Sequence, residues 1–436
     1  FNIANNGRPG PVVISLPEDI LSLLSDANPS SKINIIEPSL SEEVVLNIKE
    51  KLLKSKKPVF IVGGTCWNRE GITQLNSFIE NNNFPVISSF RRQDIFNNHS
   101  SSYAGVCSFI NTPKLNDALN EADLIFAFNT LLGDITTSNY NLWLNQIERR
   151  VVIQSHASLL EIGKVYQVDL AINSGPNYLA LKLNNLGKIG DWSSHTSLLR
   201  SNYIKGLEIK DQPGQVDMGK IINYLQDKLP EDVILTNGAG NFSTWSNLLF
   251  KFGKKARLLA PTSGAMGFGL PAAIAAKITN PNRTVICFAG DGDFQMNMAE
   301  LGTALHYKAF PIILLLNNSS YGTIRMHQEK SYPDRVYGTD IENPDYNMIA
   351  KAYGIPSYKV SKTEEFQQYF DKAIKEFPSD RSLKTFRALI LYNLGKFSSS
   401  VEELLTQLID TTSDENIKAY EKALRFYSDK LDQTWE

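Results

Sequence analysis

The sequence contains little cysteine, no long apolar run and no excess of positive charge. Its three cysteines, Cys66, Cys107 and Cys287, are far apart among 436 residues and form neither a CxxC pair nor a disulfide framework. Each is expected to be a small buried hydrophobic residue in a protein of the reducing cytoplasm. A membrane helix needs about 18 consecutive apolar residues, and the sequence has no such run. A net charge of −2 and a pI near 6.3 give no basic field of the kind that attracts nucleic acid.

What remains is an ordinary globular composition, 42% hydrophobic and 21% charged. The length predicts two to four domains, since one core rarely grows beyond a few hundred residues. Apolar runs alternate with helical patterns over residues 43–185 and again over 216–368. This alternation predicts two doubly wound α/β domains with parallel sheets. Residues 21–42 and 186–215 are rich in turn-forming residues and are expected to be linkers.

Individual elements follow from hydrophobic periodicity. Short apolar runs bounded by turn residues predict strands, and apolar residues at a spacing of three and four predict helices. The predicted strands are Pro58–Val62, Pro85–Ser88, Asp123–Phe128, Val151–Gln154, Val168–Ile172, Thr284–Ala289 and Ile312–Leu316. The predicted helices are Gly71–Asn81, Lys114–Asn120 and Gln295–Lys308, the last with Met298, Leu301, Ala304 and Leu305 on one face.

The two ends of the chain do not fit this pattern. Val12–Ile14 resembles a buried strand, which predicts that residues 1–20 are the tail of a domain lying upstream. Residues 369–436 predict helices, and their spacing resembles a tetratricopeptide repeat. One or two such repeats cannot bury a core alone. The tail is therefore expected to pack on the rest of the chain or on a partner chain, or to be a composite reading frame, or to be a simple helical cap.

The motif with the clearest chemistry links two strand ends. Gly290-Asp291-Gly292 is predicted as a turn after one strand, and Asn317-Asn318 follows the next strand. Parallel strands joined by a helix bring their carboxyl ends to one edge of the sheet, where open α/β sheets bind ligands. A carboxylate, an amide oxygen and a backbone carbonyl suit Mg²⁺, which completes its octahedron with phosphate oxygens and water. Glycines there let backbone amides approach a phosphate.

The spacing of this motif resembles the signature of thiamine diphosphate enzymes. About 24 residues separate the Gly-Asp-Gly from the Asn-Asn pair. Ser263–Ala273 (SGAMGFGLPAA) and Gly7–Ile20 (GRPGPVVISLPEDI) resemble two further segments of that family. Within the family, the sequence is similar to acetolactate synthases and to related carboligases and decarboxylases, over roughly residues 1–365.

The resemblance assigns roles to particular residues. Asp291 and Asn318 match the family's Mg²⁺ ligands, with the Ser320 carbonyl as the third. Met266 matches an apolar residue that wedges between the cofactor's two rings, although it could also be a core residue. His327 is a candidate for substrate binding or proton transfer, or a solvated helix residue. The cofactor-binding residues that the resemblance implies are Gly240, Asn241, Phe242, Gly264, Met266, Gly290, Gly292, Asp293, Tyr321 and Gly322.

The same resemblance implies an activity and an assembly. Thiamine diphosphate and Mg²⁺ would act on 2-oxo acids, and sites shared between subunits imply a homodimer or homotetramer. The glutamate that activates the cofactor belongs to the family's amino-terminal domain, so this chain alone is expected to be inactive. The alternatives are a cofactor-binding remnant, a regulatory subunit, or a scaffold acting through the helical tail. The donor and acceptor substrates stay open.

FAD binding is also left open by the sequence. The family's central domain holds FAD in acetolactate synthases, and the corresponding stretch here is Asp123–Thr137. Asn129 and Leu131 stand where relatives commonly have Gly and Arg, so one change crowds a ligand and the other removes a contact to it.

Overall fold

The computed structural model describes residues 1–28, 31, 33–109, 111–142, 150–208, 212–376, 397–412 and 414–428. The chain forms two compact units, one of Phe1–Ile209 with Asn247–Leu258 and one of Lys210–Ser246 with Leu259–Glu436. Two parallel sheets confirm the predicted α/β class. The strands are β1 Pro58–Val62, β2 Val86–Ser88, β3 Tyr103–Val106, β4 Leu124–Phe128, β5 Val151–His156, β6 Leu170–Asn173, β7 Ile234–Asn237, β8 Arg257–Leu259, β9 Val285–Gly290 and β10 Ile312–Leu316.

Helices precede and follow most of these strands. Short 3-10 turns also occur at Gln93–Ile95, Leu159–Glu161 and Met298–Glu300. The α-helices are α1 Asn2–Asn5, α2 Glu18–Leu21, α3 Glu42–Lys54, α4 Arg69–Asn82, α5 Pro113–Glu121, α6 Pro176–Asn184, α7 Ser193–Gly206, α8 Met218–Lys228, α9 Ser243–Leu249, α10 Gly269–Thr279, α11 Asp291–Gln295, α12 Leu301–Tyr307, α13 Gly322–Ser331, α14 Tyr346–Ala352, α15 Thr363–Glu376, α16 Phe397–Thr411, α17 Glu415–Ala419 and α18 Glu421–Ser428.

The first unit is built on a six-stranded sheet in the order β3-β2-β1-β4-β5-β6. Strands β1, β2 and β4 are each buried along their whole length, which explains why their sequences are continuous apolar runs. Phe60 and Phe126 stack at 4.9 Å between ring centroids, inside the core between the sheet and α4. The strand order reverses at β1, as in doubly wound folds.

The second unit is built on a four-stranded sheet in the order β10-β9-β7-β8. Helix α10 is apolar almost all round, and Leu270, Ala273 and Ile274 pack into the core beside β9. A Cβ on Gly269 would lie 2.8 Å from the backbone nitrogen of Gly238. Only glycine therefore allows α10 to begin against the end of β7, which fixes the loop before α10 close to that strand end.

Three predictions about local structure were wrong. Val12–Ile14 is not a strand: the segment is exposed, and no strand among the described residues pairs with it. Residues 186–215 are not only a linker, because α7 lies there with Leu199 buried against the core. Cys66 is exposed, whereas burial raises the pKa of both Cys107 and Cys287 to about 12 and leaves them inert hydrophobic residues, as predicted.

The predicted helix Gln295–Lys308 is broken into pieces. Helix α11 ends at Gln295, a 3-10 turn follows, and α12 begins only at Leu301. The break falls at Asn297, whose side chain donates to the carbonyl of Gly267 at 2.7 Å. Asn297 has the non-helical angles φ −133° and ψ 24°, and the apolar spacing of the sequence does not indicate this break.

The carboxyl-terminal tail contains the helices α16, α17 and α18, and α16 packs against α18. The first part of the predicted repeat, Ala388 to Lys396, lies outside the described residues. A tetratricopeptide-like arrangement therefore stays a prediction. In the part of the chain that the structure describes, no helix has the length and apolar character needed to cross a membrane.

Candidate functional site

The site lies where three parallel strands of the second sheet end side by side. Leu316 at the end of β10 is paired with Gly290 at the end of β9, so the residues that follow each strand start level. Asn237 ends the neighbouring strand β7. The segments after these strands line a cavity of about 1230 Å³, which is large enough for a cofactor of two rings and a diphosphate.

Asp291 is the buried carboxylate of this site, with only 2% of its surface exposed. It follows β9 directly and begins α11, so the predicted turn is in fact the junction of a strand and a helix. The side-chain nitrogen of Asn343 donates to Oδ2 of Asp291 at 2.7 Å. The Tyr346 hydroxyl lies 3.4 Å from the Asp291 carbonyl, and burial raises the pKa of that hydroxyl, so it stays a neutral donor.

Asn318 and Ser320 lie on the loop that follows β10. Oδ1 of Asn318 accepts from the Ser320 amide at 3.2 Å, and the Ser320 carbonyl accepts from Gly322 at 2.9 Å. Two backbone bonds to the segment around Asp340 hold this loop: Tyr321 donates to Thr339 at 2.8 Å, and Ile341 donates to Ser319 at 2.9 Å. Amide and carbonyl oxygens are therefore held beside Asp291 by backbone pairing.

Two glycines leave space that a side chain would fill. A Cβ on Gly292 would lie 2.5 Å from the Tyr321 ring, and a Cβ on Gly290 would lie 2.8 Å from the Phe242 ring. The backbone at the start of α11 is thus reached from the cavity between two aromatic rings. First-turn amides of a helix have no acceptor within the helix, and α11 begins at this edge of the sheet.

Asp293 has a role that the sequence did not predict. The resemblance implies only backbone contacts for it, but its buried carboxylate accepts hydrogen bonds from the amides of Ala239, at 3.1 Å, and Gly267, at 2.7 Å. These amides belong to the loop after β7 and the loop before α10. Asp293 therefore joins the two loops that carry Gly240 and Met266.

Asn241 and Thr323 form a second link across the cavity. The Thr323 hydroxyl donates to Oδ1 of Asn241 at 2.9 Å and accepts from the Asn241 backbone amide at 2.9 Å. The Ser243 hydroxyl donates to the carbonyl of Gly240 at 2.8 Å and fixes the turn there. The loop after β7 is thereby fastened to the first turn of α13.

The structure brings most of the predicted residues into one cavity. Of the described residues that were predicted, Gly264 and His327 are the two that do not line it. Gly264 has φ +73° and lies in a turn, where its backbone amide donates to the carbonyl of Pro261 at 3.0 Å. His327 is exposed on α13. The residues that do line the cavity are Gly240, Asn241, Phe242, Met266, Gly290, Asp291, Gly292, Asp293, Asn318, Ser320, Tyr321 and Gly322.

Two neighbours of His327 have structural partners instead of facing the cavity. Arg325 donates to Glu329 at 3.0 Å on the same helix. The side-chain amide of Gln328 exchanges two hydrogen bonds with the backbone of Tyr337, each of 3.0 Å. Both residues therefore stabilise α13 and the turn after it.

The sequence analysis missed the polar residues behind Asp291, namely Gln295, Asn343 and Tyr346. Gln295 ends α11, Asn343 lies on the loop before α14 and Tyr346 begins α14, and no periodicity marks them. The only local signal is Asn343-Pro344-Asp345-Tyr346, in which Asp345 caps α14 through the amides of Asn347 and Met348. This motif indicates a helix start and does not reveal that Asn343 reaches Asp291.

The donor chemistry fits a hard cation shared with phosphate. Among the described residues, no group of three His, Cys, Asp or Glu side chains could hold a metal by itself. Asp291 instead offers one carboxylate beside amide and carbonyl oxygens, which is the kind of set that Mg²⁺ uses when phosphates complete its shell. At Gly290 and Gly292 the rings of Phe242 and Tyr321 pack against the backbone where a side chain would otherwise stand.

The corresponding sheet edge of the first unit is closed by its own residues. The Asn129 amide donates to the carbonyls of Thr65, at 2.8 Å, and Gly63, at 3.2 Å. A Cβ on Gly64 would collide with the Asn129 backbone. The space near Gly63-Gly64 is thus taken up by Asn129, and FAD binding remains an open question.

Comparison with known proteins gives the family. The model described as the thiamine pyrophosphate enzyme central domain matches residues 45–182, and that of the C-terminal TPP binding domain matches 238–380. The acetolactate synthase isozyme 2 large subunit of Escherichia coli is 28% identical over 375 residues, 85% of this chain and 67% of that protein. The acetolactate synthase large subunit of Buchnera aphidicola (subsp. Schizaphis graminum) is 30% identical over 397 residues, 86% of this chain and 68% of that protein.

A third relative extends the match to a eukaryote. The mitochondrial acetolactate synthase of Schizosaccharomyces pombe is 30% identical over 424 residues, 89% of this chain and 62% of that protein. The chain thus spans about two thirds of the length of these relatives. The central-domain match falls on the first α/β unit, and the C-terminal match contains most of the residues that line the cavity. The chain belongs to the acetolactate synthase-like family of thiamine pyrophosphate enzymes.

Proposed function

We propose that the protein is a thiamine diphosphate- and Mg²⁺-dependent carboligase or decarboxylase that acts on 2-oxo acids in branched-chain amino acid biosynthesis. The observation that supports this most is the cavity at the edge of the second sheet. There Asp291, Asn318 and Ser320 lie beside the glycine-lined start of α11. Oxygen ligands beside a glycine-bordered helix start suit a diphosphate–Mg²⁺ pair.

The residues of the cavity would divide the work of holding the cofactor. Asp291, Asn318 and the Ser320 carbonyl would bind Mg²⁺, and the backbone at Gly290 and Gly292 would receive the diphosphate. Met266, half-buried in the cavity wall, would contact the cofactor's rings. When bound, thiamine diphosphate would supply the electron sink that lets a 2-oxo acid lose carbon dioxide.

Part of the active site would come from elsewhere. About a third of the length of these relatives is not spanned by this chain. The resemblance places the activating glutamate in that part, on a neighbouring subunit. We therefore propose that residues 1–436 alone bind the diphosphate end of the cofactor but turn over no 2-oxo acid.

Cofactor binding by the chain should require a divalent cation. With Mg²⁺ in excess, thiamine diphosphate is expected to quench the tryptophan fluorescence of the chain, because Trp245 lines the cavity. Adding EDTA should restore the signal, since the diphosphate would lose its bridge to Asp291. Thiamine without phosphates is the matched control and should cause little quenching. Equal quenching by both compounds, with and without EDTA, would remove the support for this function.

Assembly provides a separate expectation. If each site needs a neighbouring subunit, the complete protein should sediment as a dimer or tetramer, and dilution below the dissociation constant should abolish turnover. Sedimentation velocity and activity would be measured over the same concentration series. A fully active monomer would contradict the shared site while leaving the metal assignment untouched.

A further inference from the structure

One asparagine joins the two strand ends from which the proposed Mg²⁺ ligands extend. The side-chain nitrogen of Asn343 donates to Oδ2 of Asp291 at 2.7 Å and to Oδ1 of Asn317 at 2.9 Å. Asp291 follows β9, and Asn317 follows β10. The same nitrogen lies 3.4 Å from the Ser319 hydroxyl, at the edge of hydrogen-bond distance. A single amide thus spans the gap between the two sides of the site.

The orientation of this amide is fixed from behind. Oδ1 of Asn343 accepts from the side-chain nitrogen of Gln295 at 2.7 Å and from the Tyr346 hydroxyl at 2.9 Å. Gln295 also donates to Tyr346 at 3.3 Å. Two donors facing Oδ1 leave only one arrangement of the amide, with its NH₂ group toward Asp291. A flipped amide would place its oxygen against Oδ2 of Asp291 and its NH₂ group against the side-chain nitrogen of Gln295.

We propose that Asn343 is a positioning residue for the metal site, set in its orientation by Gln295 and Tyr346. This inference rests on the proposed function. Asn343 would act through Asp291 and Asn317 and would not touch the ion itself. By occupying Oδ2, it holds the Asp291 carboxylate in one rotamer and leaves Oδ1 for a cation. By binding Asn317, it sets the separation between that carboxylate and the loop with Asn318 and Ser320.

This arrangement makes Asn343 the counterpart of the outer partners that orient metal ligands in other proteins. Losing such a partner typically lowers metal affinity by about 10- to 100-fold while the ligands themselves remain. A residue that only stabilised the fold would instead lower the unfolding temperature and leave the metal titration unchanged. The two roles therefore predict different measurements.

The first test is a Mg²⁺ titration of the full chain at fixed thiamine diphosphate, followed by tryptophan fluorescence. Asn343→Ala is expected to raise the half-saturating Mg²⁺ concentration by about 10- to 100-fold, with full quenching recovered at saturation. Asn223→Ala, at an exposed asparagine on α8 outside the cavity lining, is the matched control and should titrate like the wild type. If Asn343→Ala reached half-saturation at the same Mg²⁺ concentration as the wild type, the inference would be overturned. No Mg²⁺-dependent quenching in the wild type would instead overturn the proposed function.

A second variant keeps the proposal testable if Asn343→Ala unfolds. Gln295→Glu changes almost no volume but replaces the donor facing Oδ1 of Asn343 with an acceptor, which favours the flipped amide. The added negative charge alone would strengthen cation binding. The positioning role predicts the opposite sign, a Mg²⁺ half-saturation raised several-fold. Tighter Mg²⁺ binding by Gln295→Glu would show that the orientation of Asn343 does not control the site.

Discussion

Asp291→Ala is expected to abolish Mg²⁺-dependent binding of thiamine diphosphate while the second unit stays folded. Removing a partner outside the ligand set costs about 10- to 100-fold in metal affinity, so loss of the only carboxylate in the predicted ligand set should cost more than about 100-fold. Asp291 is buried at a strand end, and the nearby carboxylate of Asp293 already accepts from the amides of Ala239 and Gly267. Calorimetric titration of Mg²⁺ with thiamine diphosphate present would measure the loss, and circular dichroism would check the fold.

Two controls separate direct binding from a general effect of charge. Asp291→Asn keeps the shape and one oxygen but removes the charge, and it should weaken Mg²⁺ less than Asp291→Ala does. Glu342→Gln removes an exposed charge next to Asn343 and should change the affinity by no more than a few-fold, because exposed charges are strongly screened. If Glu342→Gln and Asp291→Ala weakened Mg²⁺ equally, the carboxylate of Asp291 would not be a ligand.

The sequence could predict the part of the site that depends on residues adjacent along the chain. Strands β1, β4, β9 and β10 are apolar on both faces, and their residues form continuous runs that are visible without any structure. Gly290-Asp291-Gly292 and Asn317-Asn318 sit at strand ends, so the topology of a parallel sheet brings them together. These predictions need only the rule that parallel strands share one carboxyl edge.

The residues that sequence could not predict act through long-range side-chain contacts. Asn343 reaches Asp291 across 52 positions, and the Asp293 carboxylate reaches Ala239 across 54. Nothing in the chain around Asn343 indicates which group its amide will meet. Asn297 shows the opposite failure: Met298, Leu301 and Ala304 have helical spacing, but one bond to Gly267 interrupts the helix. The spacing of apolar residues indicates which face of a helix is buried, but it does not indicate where a polar side chain binds backbone elsewhere in the fold.

Asp293 illustrates how a resemblance can leave the role of a side chain unstated. The family comparison implies a backbone donor at this position, whereas the structure adds a buried carboxylate that accepts from two loops. A Cβ on Gly238 would collide with this carboxylate, so glycine there is required by Asp293 itself. The loops carrying Gly240 and Met266 are therefore held at one side of the cavity by a single side chain.

The stability of the second unit should therefore depend strongly on Asp293. Asp293→Ala leaves the amide of Gly267 buried without this acceptor, and the amide of Ala239 loses the same partner. Each such loss costs about 1–3 kcal/mol, so the free energy of unfolding of this unit should fall by about 2–6 kcal/mol. Because both loops line the cavity, the affinity for thiamine diphosphate should fall as well, even at saturating Mg²⁺.

Asp293→Asn is the matched variant, because its Oδ1 can still accept from Gly267 and Ala239 in the same geometry. It should recover most of the stability that Asp293→Ala loses, and most of the cofactor affinity with it. Urea denaturation of the two variants, with the fluorescence titration run in parallel, would make the comparison. Equal losses in both variants would mean that the charge of Asp293, rather than its two hydrogen bonds, holds the loops. If Asp293→Ala were destabilised but bound the cofactor with unchanged affinity, Asp293 would stabilise the fold without being needed for cofactor binding.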